Sequence, residues 1–323
     1  AEYQNGILYN LKAFYQIKNP SYLASNKKNK ILFALSERSD GADIYSLNIG
    51  KNAIIENSKI NVPGRGLCHV SISPNGKFIF GACYESGHVY SVLVNQNGNL
   101  EKVISVIDQN KYQNIKNSKA RAHCIKTTKD GNYAIAVDLG LDALIVYSLN
   151  EDGVLNYKSH FKFKDGTGPR HICFGNLNKS DSSIIYLISE YSNELYTFKF
   201  DEKVGILNFL DCVSSLPPDF KGKSHGAAIK ISPDNKKVAV SNRVESADGI
   251  ISVFNLNDNN LPCEIKTIYT NGCFPREFEY TPDSKYIIAA NQNSNNISVI
   301  SLQDGNGKTN LYTVPQPVCI EFI

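Results

Sequence analysis

The chain has 323 residues, 42% hydrophobic and 20% charged, with a formal net charge of +3 and neither Met nor Trp. That length holds one large all-β domain or two ordinary ones, and the composition excludes a disordered chain. So small a net charge excludes a nucleic-acid binder working through a broad basic field, while a local cationic pocket stays open.

In chain order, the first element is a short apolar run, Ile7–Tyr9 within NGILYNL, preceded only by AEYQ. Six repeats of one grammar follow: a lead-in residue, an apolar run, a turn, a second apolar run, then a third. They are NPSYLASNKKNKILFALSE from Asn19, GLCHVSISPNGKFIFGACYESG from Gly66 and RAHCIKTTKDGNYAIAVDLG from Arg121. GPRHICFGNLNKSDSSIIYLISE from Gly168, HGAAIKISPDNKKVAVSNR from His225 and FPREFEYTPDSKYIIAANQN from Phe274 complete the set. The third runs are DIYSLNI, HVYSVLV, ALIVYSLN, ELYTFKF, IISVFNL and NISVISL. Val, Ile, Tyr and Phe fill these runs, and no long stretch shows a helical period. Asn75-Gly76, Asp130-Gly131 and Asp234-Asn235 are turn formers. The last element is VPQPVCIEFI.

A repeating β-meander of this length fits four-stranded antiparallel blades around an axis, an all-β propeller forming a single domain over 1–323. Joined, the two terminal runs make most of a seventh blade. Val318–Phe322 is expected to be its innermost strand and Ile7–Tyr9 an outer one, a closure that removes an open edge. Seven blades is the expected count, with six and eight as alternatives.

Eight cysteines (Cys68, Cys83, Cys124, Cys173, Cys212, Cys263, Cys273, Cys319) are scattered without a CxxC pair. Several lie in apolar runs, where Cys behaves as a small hydrophobe. This points to a reducing compartment, and the absence of a leader or a long apolar run points to the cytoplasm.

Aligning the repeats on Gly76, with the fourth placed by its Gly-Pro-Arg-His motif because its longer hairpin breaks the count, selects two position sets. Near the start of the first run stand Ser21, Cys68, His123, Arg170, Ala227 and Arg276; at the end of the second stand Glu37, Tyr84, Leu139, Glu190, Arg243 and Gln292. In a propeller these ends converge on one mouth of the central channel. A single cation at a strand start is usually a solvated loop end. Several together repel one another, and an anionic ligand would relieve that.

The ordered motifs NPSYLA, GLCHVSISPNGKF, RAHCIKTTKDG with VDLGLD, GPRHICF, SNR, FPREFEYTPDSKYIIAANQN and PQPVCI resemble the propeller lactonase family over nearly the whole chain. That family includes 6-phosphogluconolactonases and carboxymuconate cyclases. The resemblance implies a seven-bladed propeller with a metal-independent site, carried here by His123, Arg170, Glu190 and Arg243. Arg276 of FPR and His69 of LCHV also match its motifs. The chain departs from the family in its short opening, in Asn-Lys-Lys-Asn at the first turn, and in a long fourth hairpin, Gly175 to Ser183.

On this reading His123 is the general base, Glu190 orients it or serves in its place, and Arg170 and Arg243 bind the anion or the oxyanion. Arg276, His69, Glu37, Tyr84 and Gln292 line the substrate. No GxSxG elbow and no metal-ligand spacing appears, so neither nucleophilic serine, cofactor nor catalytic metal is expected. The expected partner is a small phosphosugar lactone, with no nucleic acid or membrane, and a monomer or weak homodimer. Two rivals remain: a lactonising carboxymuconate cyclase, and a binding platform without catalysis.

Overall fold

The computed structural model describes residues 1–50, 53–112, 114–175, 182–245, 247–303 and 309–323. The apolar runs become strands because branched and aromatic side chains fit a pleated, buried surface. Among the described residues they form six four-stranded antiparallel sheets, each ordered as in the sequence, and one two-stranded hairpin. The long fourth hairpin falls largely outside the described residues.

Contacts divide the chain into two compact units. One comprises residues 14–170, 201–207 and 321–323. It holds blade one (Pro20–Asn26, Ile31–Arg38, Gly41–Ile49, Ile54–Asn61) and blade two (Leu67–Ile72, Phe78–Cys83, His88–Val94, Leu100–Asp108). Blade three, also here, is Ala122–Thr127, Tyr133–Asp138, Ala143–Leu149 and Leu155–Lys162. Phe33, Val70 and Tyr90 bury blade one against two, and Phe80, Ile125 and Tyr147 bury two against three.

The other unit comprises residues 1–13, 171–200 and 208–320. It holds blade five (Ser224–Ile231, Lys237–Val244, Ile250–Leu256, Pro262–Tyr269) and blade six (Pro275–Tyr280, Tyr286–Asn291, Asn296–Ser301, Thr309–Thr313). It also takes most of blade four, whose strands are Pro169–Gly175, Ser182–Ser189, Glu194–Asp201 and Ile206–Ser214. Ile188 and Val240 join one apolar cluster, Ile251 and Phe278 another.

The turns share one set of bonds. Ser73, Thr128, Ser232 and Thr281 each donate a hydroxyl to Asn75, Asp130, Asp234 or Asp283, two residues on, at 2.5–2.8 Å. The same hydroxyls accept the N–H groups of Phe78, Tyr133, Lys237 and Tyr286 at 2.9–3.1 Å. The left-handed position of each turn falls to Gly76, Gly131, Asn235 and Ser284.

A second shared feature bears on function. In blade three Ala122 pairs with Asp138 and Cys124 with Val137, so His123 is an extra, bulged residue. Cys68 and Arg276 occupy the same bulge in blades two and six. Blades one and five shift register at the same place, around Ser21 and Ala227. A bulge bends the strand and re-aims its side chain. The N–H groups of Glu37, Tyr84, Leu139 and Gln292 return to the carbonyls of Asn19, Gly66, Arg121 and Phe274, at 3.0, 2.7, 3.0 and 3.1 Å. The two sets singled out by the repeats therefore share one end of each of these blades.

The termini depart from expectation. Ile7–Tyr9 pairs with Glu2–Gln4 in a local hairpin. Its turn is Asn5-Gly6, at φ 47° and 81°, the strongest short-range hairpin signal in a sequence. A Cβ on Gly6 would come within 2.6 Å of the Tyr286 ring, so glycine also lets the hairpin seat on blade six. Leu8 N–H donates to the Tyr312 hydroxyl at 2.9 Å and completes that seating. Val318–Phe322 belongs to no strand. Pro315 and Pro317 before it lack amide donors, and Gln316 between them is left-handed at φ 41°. Among the described residues no helix is long and apolar enough to cross a membrane, and no disulfide joins any of the eight cysteines.

Candidate active site

In the first unit the bulge places His123 at the end of blade three, 6% exposed. Its ring meets Tyr84 edge-on, with centroids 5.6 Å apart and planes at 78°. The Arg121 guanidinium lies over the same Tyr84 ring at 4.9 Å. Arg121 is anchored through its backbone: its N–H donates to Asp138 Oδ1 at 2.8 Å, and Leu141 N–H donates to the same oxygen at 2.8 Å. Burial pushes the Asp138 carboxyl up to about 6, against backbone donors at Arg121, Leu141 and Gly140 that pull it down.

Arg170 is buried at 2% exposure, at the start of blade four. The Gly166–Gly168 loop leading to it is held by buried Asp142. Oδ1 of Asp142 accepts Gly168 N–H at 2.7 Å, and Oδ2 accepts Gly166 N–H at 3.0 Å and Lys116 Nζ at 2.5 Å. A permanent cation at this strand start thus follows a loop whose Gly168, two residues before it, is fixed by a carboxylate.

His69 is wholly buried. Its Nδ1 accepts Ile125 N–H, its Nε2 meets Cys124 Sγ, each at 3.4 Å, and Tyr22 packs on the ring at 4.5 Å. This is a packing role linking the first strands of three blades. Glu37 is half-buried near the end of the second strand of blade one.

In the other unit Arg243 is held from several sides. Nη2 donates to Glu190 Oε2 at 2.8 Å and to Gly226 O at 3.0 Å, and Nε donates to His225 O at 3.4 Å. The guanidinium covers the Phe274 ring at 5.0 Å. Phe274 is itself left-handed at φ 65°, a conformation that a bulky side chain rarely adopts. Gln292 bonds the Phe274 carbonyl as described, and Arg276 is half-buried at its bulge.

The repeat register passed over Arg121 and Phe274. Each stands two residues before a selected position, His123 or Arg276, so the same register read two residues earlier finds both. In one unit an imidazole on a bulge supplies a base and an aromatic-stacked guanidinium a forked cation donor; in the other a paired Arg–Glu supplies a second forked donor. Among the described residues no group of three or more His, Cys, Asp and Glu is placed to hold a metal ion.

Residues 1–322 match the family model described as "Lactonase, 7-bladed beta-propeller". A 6-phosphogluconolactonase of Bacillus subtilis is 31% identical over 95% of this chain and 88% of its own length. An uncharacterized protein of Staphylococcus epidermidis is 30% identical over 95% and 89%. The solved periplasmic gluconolactonase of Pseudomonas aeruginosa superimposes with TM-score 0.82 at 23% identity, covering 94% of this chain and 88% of that one. A Lactobacillus plantarum structure gives TM-score 0.82 at 24% identity, over 95% and 89%. At such identity the two structures establish the fold: a propeller of four-stranded blades.

Proposed function

We propose, from the premise that this chain belongs to the lactonase family of seven-bladed β-propellers, that it hydrolyses an anionic sugar lactone, 6-phosphogluconolactone, to the open acid. The observation that carries the reading is the span of the match, which takes in every repeat rather than one blade.

In the reaction, water adds to the lactone carbonyl, a tetrahedral oxyanion forms, and the ring C–O bond breaks to release an alcohol and a carboxylate. His123 takes the proton from the attacking water and returns it to the departing ring oxygen. Its place on a bulge supports this role, since bulges re-aim side chains beside active sites. Arg170 and Arg243 hold the substrate anion and the developing oxyanion. Glu190, already engaged by Arg243, fixes that guanidinium and leaves the base role to His123. Arg276, Glu37, Tyr84 and Gln292 contact the substrate, and His69 acts on the site through packing. The mechanism uses no metal or cofactor.

The N-terminal hairpin and the run from Val318 together supply the seventh blade of a single-domain ring. The protein is a monomer or weak homodimer and works in the cytoplasm; its eight cysteines without a disulfide support a reducing compartment.

Proton release on adding 6-phosphogluconolactone, followed against spontaneous opening, tests the function. A rate well above the spontaneous one is expected. No acceleration with that lactone, but turnover of a carboxymuconate, would replace hydrolysis with cyclisation; inactivity on both would leave a binding protein.

A further inference from the structure

Arg121 has a combination of properties that the reaction above does not use. Its stem is clamped. The backbone N–H is held by the wholly buried Asp138 and the carbonyl by Leu139 N–H at 3.0 Å. A Cβ on Gly140 would lie 2.1 Å from the Lys119 carbonyl and 3.0 Å from Arg121 Cγ, so only glycine lets this loop close on the stem. The head is presented rather than consumed. It lies on the Tyr84 ring, half-exposed, and among the described residues it donates to no carboxylate, carbonyl or hydroxyl. Arg243, also stacked on a ring, differs: it is buried and already bonded to Glu190 and two carbonyls.

A guanidinium with its donors unclaimed, fixed in direction by an aromatic face and backed by His123 on that face's edge, suits a multivalent oxyanion. We propose that Arg121 is the residue that recognises the phosphate of the lactone substrate and so sets preference for a phosphorylated over a neutral sugar lactone. The inference rests on the lactonase reading of the site. Stacking on Tyr84 restricts the guanidinium before the ligand arrives, so less side-chain freedom is lost on binding.

The test compares 6-phosphogluconolactone with glucono-δ-lactone for the wild type, Arg121→Gln and Arg121→Lys. Gln keeps the stem under Gly140 and removes the charge; Lys keeps the charge and removes the fork. Arg121→Gln should lower the ratio of kcat/KM for the phosphorylated over the neutral lactone by about ten- to a hundredfold, the range for a lost hydrogen bond to a charged group, mainly through KM. Lys should recover only a small part. An unchanged ratio, or equal slowing of both lactones, overturns the proposal. Calorimetry with 6-phosphogluconate separates this from failure of the reaction itself. If the wild type opens neither lactone yet binds 6-phosphogluconate, and Gln abolishes that binding, the lactonase reading falls and the phosphate site stands. Equal affinity in both proteins, or no binding to the wild type, overturns the site.

Discussion

A histidine, a tyrosine and an arginine illustrate how single side chains acquire meaning here. His123, Tyr84 and Arg121 come from two blades, and what joins them is a ring edge and a ring face rather than any hydrogen bond between them. Repeat alignment selected His123 and Tyr84 because a bulge and a strand end recur at fixed distances from a turn. It missed Arg121, which lies two residues before the position taken and whose stacking on the neighbouring blade only the structure shows. If His123 is the base, His123→Ala should lower kcat by about 10²–10⁴-fold. Substrate affinity should stay within a few fold, as measured by product binding. His160→Ala, whose exposed ring bonds the Tyr157 hydroxyl at 2.7 Å, serves as the control and should keep full activity. A folded His123→Ala protein with undiminished kcat would overturn the assignment.

Within a blade, a buried polar residue sits at or near the end of the second strand. Asp138 in blade three, Asn242 in blade five and Asn291 in blade six pair with equivalent lead-in residues. Both asparagines donate back to backbone, Asn242 to Ser215 O at 3.0 Å and Asn291 to Thr270 O at 3.3 Å. Asp138 instead buries an acid, and burial raises its pKa from the ordinary 3.8 to about 6. A raised carboxyl favours the folded state most below about pH 4, and that advantage is lost as pH rises through about 6. Above pH 6 the folded protein therefore carries a buried charge that asparagine would remove. Asp138→Asn should raise Tm, and by more at pH 7.5 than at pH 5, in paired thermal melts. An equal shift at both values would mean that ionisation is not the cause. The turns at this scale were legible in the sequence, because Ser/Thr-x-Asn/Asp closes its own bonds locally. The bulge beside Asp138 was legible only as a position, because its geometry comes from pairing with the neighbouring strand.

For the molecule as a whole, what matters is how the ends of the chain are held. The boundaries between the two compact units, at 170/171, 200/201 and 207/208, fall inside or at the end of blade-four strands, and residues 321–323 group apart from 318–320. The Glu321 carboxylate accepts the hydroxyl of Ser25 in blade one. If the run from Val318 helps complete a seventh blade, deleting residues 318–323 should lower Tm by several degrees, roughly 2–4 °C for each kcal/mol lost. It should also speed amide exchange over Ile7–Tyr9. Unchanged melting and exchange would show that the C-terminal run closes nothing. The sequence alone determined the blade grammar, the turns and the positions of His123, Arg170, Glu190 and Arg243. Each of these follows from local hydrogen-bonding chemistry, from a repeat count or, for Arg170 and Glu190, from the Gly-Pro-Arg-His motif. Only the tertiary structure decided that Ile7–Tyr9 pairs with Glu2–Gln4, that His69 is buried in packing, and that Arg243 is bonded while Arg121 is presented. Those outcomes depend on which surfaces meet across blades, and no spacing along the chain encodes a meeting between side chains fifty residues apart.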